Sequence, residues 1–179
     1  MEPINFDAID LIQKLKVTGV TNPSLLDAIY EVQNMFPKLD EKEVYAEAKL
    51  LQLLDPDVNS EVLIIGTHSI TLYYILGKLV KKTYMYELKA QDILEKSREI
   101  RKHGYGNIVT ANTIEANAPY AHIIIDTCQE EEPKEYIKLL AKTGSLIIKA
   151  TENSNDLIKI TNTNKGYIRE NYSKIFLKY

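Results

Sequence analysis

The chain has 179 residues, 45% apolar and 26% charged, and its 22 basic and 25 acidic side chains give a net charge of −3. This balance is typical of a folded globular protein, excludes a mainly disordered chain and gives no basic excess that would indicate nucleic acid as a partner. No apolar run approaches ~18 residues, so we expect no membrane span.

Cysteine content and the N-terminus bear on the compartment. Cys128 is the only cysteine and cannot form an internal disulfide, and no histidine has a metal-ligand spacing with it. The segment Met1–Asp10 lacks the basic and apolar regions of a signal peptide. We therefore expect a cytoplasmic protein without a metal.

Residues 1–56 are predicted to form three helices. Apolar residues recur at helical spacing in three stretches, separated by Gly19 and Pro37 and ended by Pro56. Asn22 before Pro23 is typical of an N-cap and first helical position, and Asp40 has capping-box spacing for the third helix. The apolar stripes are Ala8, Leu11, Ile12, Leu15; Leu25, Ala28, Ile29, Val32; and Val44, Ala48, Leu51, Leu54.

Residues 61–150 alternate between strand-like and helix-like segments. The predicted strands are Glu61–Gly66, Thr83–Glu87, Asn107–Ala111, His122–Asp126 and Ser145–Ala150. The intervening helices are predicted near Leu72–Leu79, at Ala90–His103 with an Asp92–Lys96 pair one turn apart, and at Pro133–Ala141 with Gly144 closing it. Such alternation predicts a parallel sheet with helices on both faces.

The C-terminal part changes character. Residues Asp156–Asn162 and Tyr167–Leu177 flank a turn at Asn164-Lys165-Gly166, which predicts an antiparallel hairpin. We therefore predict one domain over residues 1–179, of α/β class: a Rossmann-like, doubly wound, mostly parallel sheet with N-terminal helices (1–56), a core (61–150) and a C-terminal hairpin (156–177).

A ligand site is expected where the strands of such a sheet end at their carboxyl side. Gly66 allows a sharp turn after the first strand. Glu87 ends the second strand, where an acid accepts hydrogen bonds from ribose hydroxyls or is simply a solvated residue. Both interpretations of Glu87 stay open.

Other polar residues near these strand ends have both a chemical and a structural interpretation. His68 is a candidate base or ligand, but a side chain filling the pocket is the favoured interpretation. Asp126 is a candidate polar group or a helix N-cap, and Cys128 is favoured as a structural thiol because no activating base is evident. His103 and His122 are favoured as a helix-end charge and a strand-start residue.

The order of the segments resembles the class I methyltransferases that use S-adenosylmethionine, and more narrowly the protein-L-isoaspartate O-methyltransferase family. The resemblance covers nearly the whole chain and implies the same fold. It is carried by Leu11–Gly19, Leu25–Val32, Glu61–Gly66, Lys81–Glu87, His103–Asn107, Ala118–Tyr120, Leu140–Ile148 and Asp156–Leu177.

Departures from the family pattern concentrate where the cofactor would bind. The family carries an acid in the first strand and a glycine-rich loop, roughly D/E-x-G-x-G-x-G. Here Ile64 replaces the acid, and His68 and Ile70 replace two glycines whose absent side chains leave room for the methionine part of the cofactor. A G-D-G near the adenine becomes Ala111-Asn112-Thr113. Any S-adenosylmethionine would bind through Gly66, Thr67, His68, Glu87, Asn112 and Asp126.

The family's substrate loop is also missing. The resemblance implies a long insertion with a Q-x-I-S-x-P-like motif between the opening helices, but Phe36–Asp40 leads almost directly into the third helix. No serine stands between Ser24 and Ser60. Isoaspartyl methylation is therefore not expected.

Three hypotheses for the function follow. The favoured one is a catalytically degenerate relative of these enzymes that binds another protein or assembles with copies of itself. The alternative is a divergent, active S-adenosylmethionine-dependent methyltransferase with an altered acceptor. A third is a nucleotide-binding regulator that uses Glu87 for ribose alone.

Overall fold

Three helices open the chain in the computed structural model, which describes residues 6–66, 68–87, 89–126, 133–151 and 154–172. They are α1 (Phe6–Val17), α2 (Pro23–Met35) and α3 (Glu41–Leu54). Asn22 caps α2 by accepting from the backbone N–H of Leu25 at 3.1 Å, and Asp40 caps α3 by accepting from Lys42 at 2.9 Å. The three predicted helices and both caps are confirmed.

A seven-stranded sheet follows, with the strand order β3-β2-β1-β4-β5-β6-β7. The first five strands pair in parallel and the last two pair antiparallel, as the predicted fold class requires. The strands are β1 (Glu61–Ile65), β2 (Lys82–Tyr86), β3 (Ile108–Thr110), β4 (Tyr120–Ile125), β5 (Leu140–Thr151), β6 (Ser154–Thr163) and β7 (Gly166–Tyr172); the helices between them are α4 (Ile70–Leu79), α5 (Ala90–Lys102) and α6 (Lys134–Ile137).

Each face of the sheet is covered by its own apolar core. Successive residues of β1 point to opposite faces, as strand geometry dictates. Val62 and Ile64 join the core formed with α1 to α5, and Leu63 and Ile65 join a second core on the other face, against which α6 packs. Order reverses between β1 and β4, which places the switch point of the sheet at the carboxyl ends of these two strands.

The predicted helix at Pro133–Ala141 is wrong in extent. Only the single turn α6 forms, and β5 already begins at Leu140, because the backbone pairs there with Tyr120 of β4. Gly144 does not end a helix. It lies inside β5, where an added Cβ would stand 2.8 Å from the carbonyl oxygen of Ala121, so close strand approach explains the glycine.

The C-terminal hairpin is confirmed within the described residues. Thr163 pairs with Gly166 around a turn at Asn164 and Lys165, and β7 runs to Tyr172. The predicted continuation to Leu177 lies outside the described residues. No helix among those described is long and apolar enough to cross a bilayer.

Candidate functional site

The carboxyl ends of β1, β2 and β4 meet at one edge of the sheet. Pairing continues one residue beyond the strands: the N–H of Gly66 donates to Tyr86 at 3.0 Å, and the N–H of Asp126 donates to Ile65 at 3.0 Å. The predicted positions Gly66, Glu87 and Asp126 therefore belong to this edge. Thr67 lies outside the described residues.

Gly66 is required by its backbone conformation. Its φ of +94° lies in the left-handed region that residues with a Cβ rarely adopt, whereas an added Cβ would meet the nearest atoms of Asp126 only at 3.5 Å. The turn after β1 that the sequence predicts is thus present.

The segment after Gly66 is tied to the N-terminal helices. His68 is 3% exposed, in agreement with a side chain that fills space. Ser69 caps α4 by accepting from the N–H of Leu72 at 3.2 Å, and its hydroxyl donates to Glu47 of α3 at 2.8 Å. Because Glu47 is itself 4% exposed, this hydrogen bond ties the start of α4 to the interior of α3.

Glu87 is paired inside the protein. Its side chain is 1% exposed, and its Oε1 lies 2.5 Å from Nζ of Lys96, which is 19% exposed. Its second oxygen, Oε2, is buried and accepts no hydrogen bond in the described part of the chain. The predicted Asp92–Lys96 pair is wrong: Lys96 turns inward to the strand end, where a buried carboxylate attracts the ammonium more strongly than a solvated one.

Tyr73 of α4 links the acidic groups of the edge. It is fully buried, and burial together with the neighbouring carboxylates Glu87, Glu47 and Asp126 raises the pKa of its phenol well above the usual range. The Lys96 ammonium lies 5.8 Å from the centroid of its ring. The phenol therefore stays protonated, and the edge combines three carboxylates with one ammonium close to the ring.

Sequence reasoning missed Glu47, Tyr73 and Lys96. Tyr73 and Lys96 lie in the first two turns of helices that follow β1 and β2, so their positions in α4 and α5 could have indicated this edge. Glu47 comes from α3, and nothing in the sequence relates α3 to the loop after β1.

Two further predicted residues differ in their placement. Asn112 follows β3 and is exposed, so its contact with an adenine stays a prediction. Asp126 is half-buried and does not cap α6, because that helix begins at Lys134 with Pro133 at the cap position. Cys128 lies outside the described residues.

The two remaining histidines have structural partners. His103 is the C-cap residue of α5, with Nε2 2.9 Å from Oε1 of Glu99. His122 lies near the start of β4, with Nδ1 2.8 Å from the hydroxyl of Ser145, and burial lowers its pKa to about 4. Both agree with the structural interpretation.

The link between α2 and α3 is short and anchored. It comprises residues 36–40 alone. Phe36 stacks on Tyr74 of α4, with centroids 4.2 Å apart and rings within 4° of parallel, and meets His103 edge-on at 4.7 Å. A substrate loop between these helices is absent from the structure, as the sequence predicts.

Comparison with known proteins identifies the family. The model of "Protein-L-isoaspartate(D-aspartate) O-methyltransferase (PCMT)" matches residues 41–177. The protein-L-isoaspartate O-methyltransferase of Vibrio campbellii is 28% identical over 189 aligned positions, covering 88% of each chain, and that of Aliivibrio fischeri is 30% identical over 138, covering 70% of this chain and 63% of the relative. Because 189 exceeds the 179 residues of this chain, the Vibrio protein carries residues that this chain lacks.

Solved structures support the same fold. One described as a protein-L-isoaspartate O-methyltransferase superposes with a TM-score of 0.72 at 13% identity, covering 93% of this chain and 63% of that longer chain. A Plasmodium falciparum structure described as the same type of enzyme in complex with S-adenosyl-L-homocysteine gives 0.65 at 16% identity, covering 92% and 93%. The family match over most of its length shows that the chain belongs to the protein-L-isoaspartate O-methyltransferase family.

Proposed function

We propose that this chain is a member of the family that has lost isoaspartyl methylation and serves as a binding or assembly module, with another protein or a second copy of itself as the partner. The observation that carries the proposal is the state of Glu87. Its carboxylate, at the position suited to ribose hydroxyls, is 1% exposed and paired with Lys96 at 2.5 Å.

The residues present do not fit S-adenosylmethionine. His68 is buried at a position where a glycine would let the backbone approach the methionine part. The acid for the ribose is already neutralised by an internal ammonium. The names of the relatives, and the solved structure described in complex with S-adenosyl-L-homocysteine, support descent of this site from one that bound that type of cofactor.

The short α2–α3 link supports the same proposal on the substrate side. Residues 36–40 leave no chain to cover a peptide, and the stack of Phe36 on Tyr74 anchors them. Loss of a substrate loop and replacement of two loop glycines by His68 and Ile70 are separate changes in sequence, and both oppose the family reaction.

The first experiment titrates the purified protein with S-adenosyl-L-homocysteine in a calorimeter and assays methyl transfer to an isoaspartyl peptide. We expect no heat at millimolar ligand and no transfer above the blank, with the Vibrio campbellii relative assayed alongside as the positive control. Methyl transfer to the peptide would contradict the proposal.

Binding near micromolar, about −8 kcal/mol, would instead favour the divergent active methyltransferase. Glu87→Ala should then abolish the heat. Glu61→Ala is the matched control, because Glu61 is an acid at the other end of β1, paired with Lys81 at 2.6 Å, and its loss should leave the heat unchanged.

The partner is tested by sedimentation of the purified chain over a range of micromolar concentrations. A self-associating module gives a mass that rises with concentration. A constant monomer mass directs the search to a different protein, captured on the immobilised chain and retained at physiological salt.

A further inference from the structure

The pair between Lys96 and Glu87 is the most enclosed ion pair among the described residues. The side chains are 19% and 1% exposed. Each other pair between a lysine and a carboxylate has at least one side chain more than half exposed, as at Lys14–Asp10 and Lys102–Glu99. Such surface pairs contribute little. The enclosed pair at the switch point of the sheet calls for a separate explanation.

The acceptor side of this pair is only half used. Oε1 of Glu87 accepts a hydrogen bond from the Lys96 ammonium at 2.5 Å, and the buried Oε2 accepts none from the residues that the structure describes. A ribose presents two neighbouring hydroxyl donors, which match the two oxygens of a carboxylate at the end of the second strand. The Glu87 carboxylate is therefore an acceptor suited to a diol, and Lys96 occupies one of its two oxygens.

Lys96 is held on this acceptor by a second contact. Its Nζ lies 5.8 Å from the ring centroid of Tyr73, whose own hydroxyl is buried without a hydrogen-bond partner in the described part of the chain. A cation over a buried aromatic ring is favoured when desolvated. The ammonium thus contacts both a ring on α4 and the carboxylate that follows β2.

We propose that Lys96 is an internal occupant of the ribose subsite, which keeps nucleosides out while the subsite behind it stays intact. This inference rests on the proposed function, because it explains how the chain excludes the nucleoside half of the cofactor. It goes further in assigning the exclusion to one side chain that can be removed.

The probe is adenosine, which carries the ribose and the base but not the methionine part that His68 and Ile70 oppose. Calorimetry and thermal shift compare the natural chain with Lys96→Ala. We expect adenosine to bind the variant at least tenfold more tightly, and 2′,3′-dideoxyadenosine, which lacks both hydroxyl donors, to gain nothing.

Three control variants separate the subsite from a general loosening of the protein. Lys102→Ala removes an exposed lysine from the same helix, one whose ammonium lies 3.9 Å from Glu99, and should not change adenosine binding. Lys96→Arg keeps a cation on Glu87 and should stay closed. The double variant Lys96→Ala/Glu87→Ala should lose the affinity gained, because the acceptor itself is gone.

The inference is overturned if folded Lys96→Ala binds adenosine no better than the natural chain does. It is also overturned if Lys96→Ala binds 2′,3′-dideoxyadenosine as tightly as it binds adenosine. Should that variant not fold, Lys96→Met keeps the apolar stem without the ammonium and must show the same gain. A further outcome is that the natural chain does not bind S-adenosyl-L-homocysteine and Lys96→Ala does not bind adenosine. That result overturns this inference alone and leaves the proposed function standing.

Discussion

Acidification from pH 6.5 to 4 should lower the free energy of unfolding of this protein, and replacing His122 by asparagine should remove most of that loss. The half-buried imidazole lies on β4, with Nδ1 2.8 Å from the hydroxyl of Ser145 on the adjacent β5. Burial is the main cause that lowers its pKa from 6.5 to about 4, Lys159 lowers it further, and Asp57 and Asp55 oppose the shift. Asparagine offers a polar atom near Nδ1 and does not titrate.

The sign follows from the proton counts of the two states. Between pH 6.5 and 4 the unfolded chain binds a proton at this histidine and the folded chain does not, so acidification favours unfolding. A shift of this size corresponds to roughly 3 kcal/mol. The stability contributed by neutral His122 is complete above pH 6.5, is reduced by about 2 kcal/mol at pH 5, and is lost as the pH falls through 4.

The assay is urea denaturation of both proteins at pH 7.5, 6.5, 5.5 and 4.5, with the free energy of unfolding extrapolated to water. Asparagine lowers the stability at pH 7.5 through altered packing, so the difference in slope between the proteins is the relevant quantity. Hydrogen bonds from Ser60 and Asn59 lower the pKa of Asp57 below 3.8. Asp57 therefore loses its contribution to stability only at a lower pH than His122, and it does so in both proteins. Parallel profiles from pH 7.5 to 4.5 would refute the reasoning.

Two substitutions test the packing behind the candidate site. Gly77→Ala in α4 would place its Cβ 2.2 Å from the Tyr105 ring, so thermal melting should show a net loss of stability of about 1–3 kcal/mol despite the better helix propensity of alanine. Gly106→Ala is the control and should be nearly neutral, because an added Cβ there has no atom within 4 Å. Equal effects of the two substitutions would show that the Tyr105 ring moves aside without cost. Ser69→Ala removes the α4 cap and the donor to Glu47 and should cost about 1–2 kcal/mol, of which Ser69→Asn recovers part. An unchanged melt for Ser69→Ala would contradict the cap's role.

Most of the fold could be predicted because its signals are local. The caps at Asn22 and Asp40 and the apolar runs such as 61–66 are set by neighbours in sequence, and alternation of strands and helices then fixes a parallel sheet. The helix expected at Pro133–Ala141 failed for a non-local reason. Pairing of Leu140 with Tyr120 satisfies the backbone better there than a helix would, and no local pattern encodes that partner.

The candidate site was predictable only by position. Gly66, Glu87 and Asp126 follow strand ends, and the topology brings strand ends together whatever their side chains do. The partner of Glu87 was not predictable, because Lys96 has a half-buried acid, Asp92, one turn away and a fully buried acid, Glu87, after β2, and only the structure shows which is closer. Burial decides such competition, since an ion pair gains more where water is excluded.

The two segments that depart from the family pattern, the loop after β1 and the α2–α3 link, both contact α4. Its first turn is fixed by Ser69, whose hydroxyl reaches Glu47 of α3, and its middle carries Tyr74, on which Phe36 of the α2–α3 link stacks. The N-terminal helices thus stabilise α4 through the two segments that depart from the family pattern. Both departures therefore act on one helix, which follows β1 directly at the switch point of the sheet.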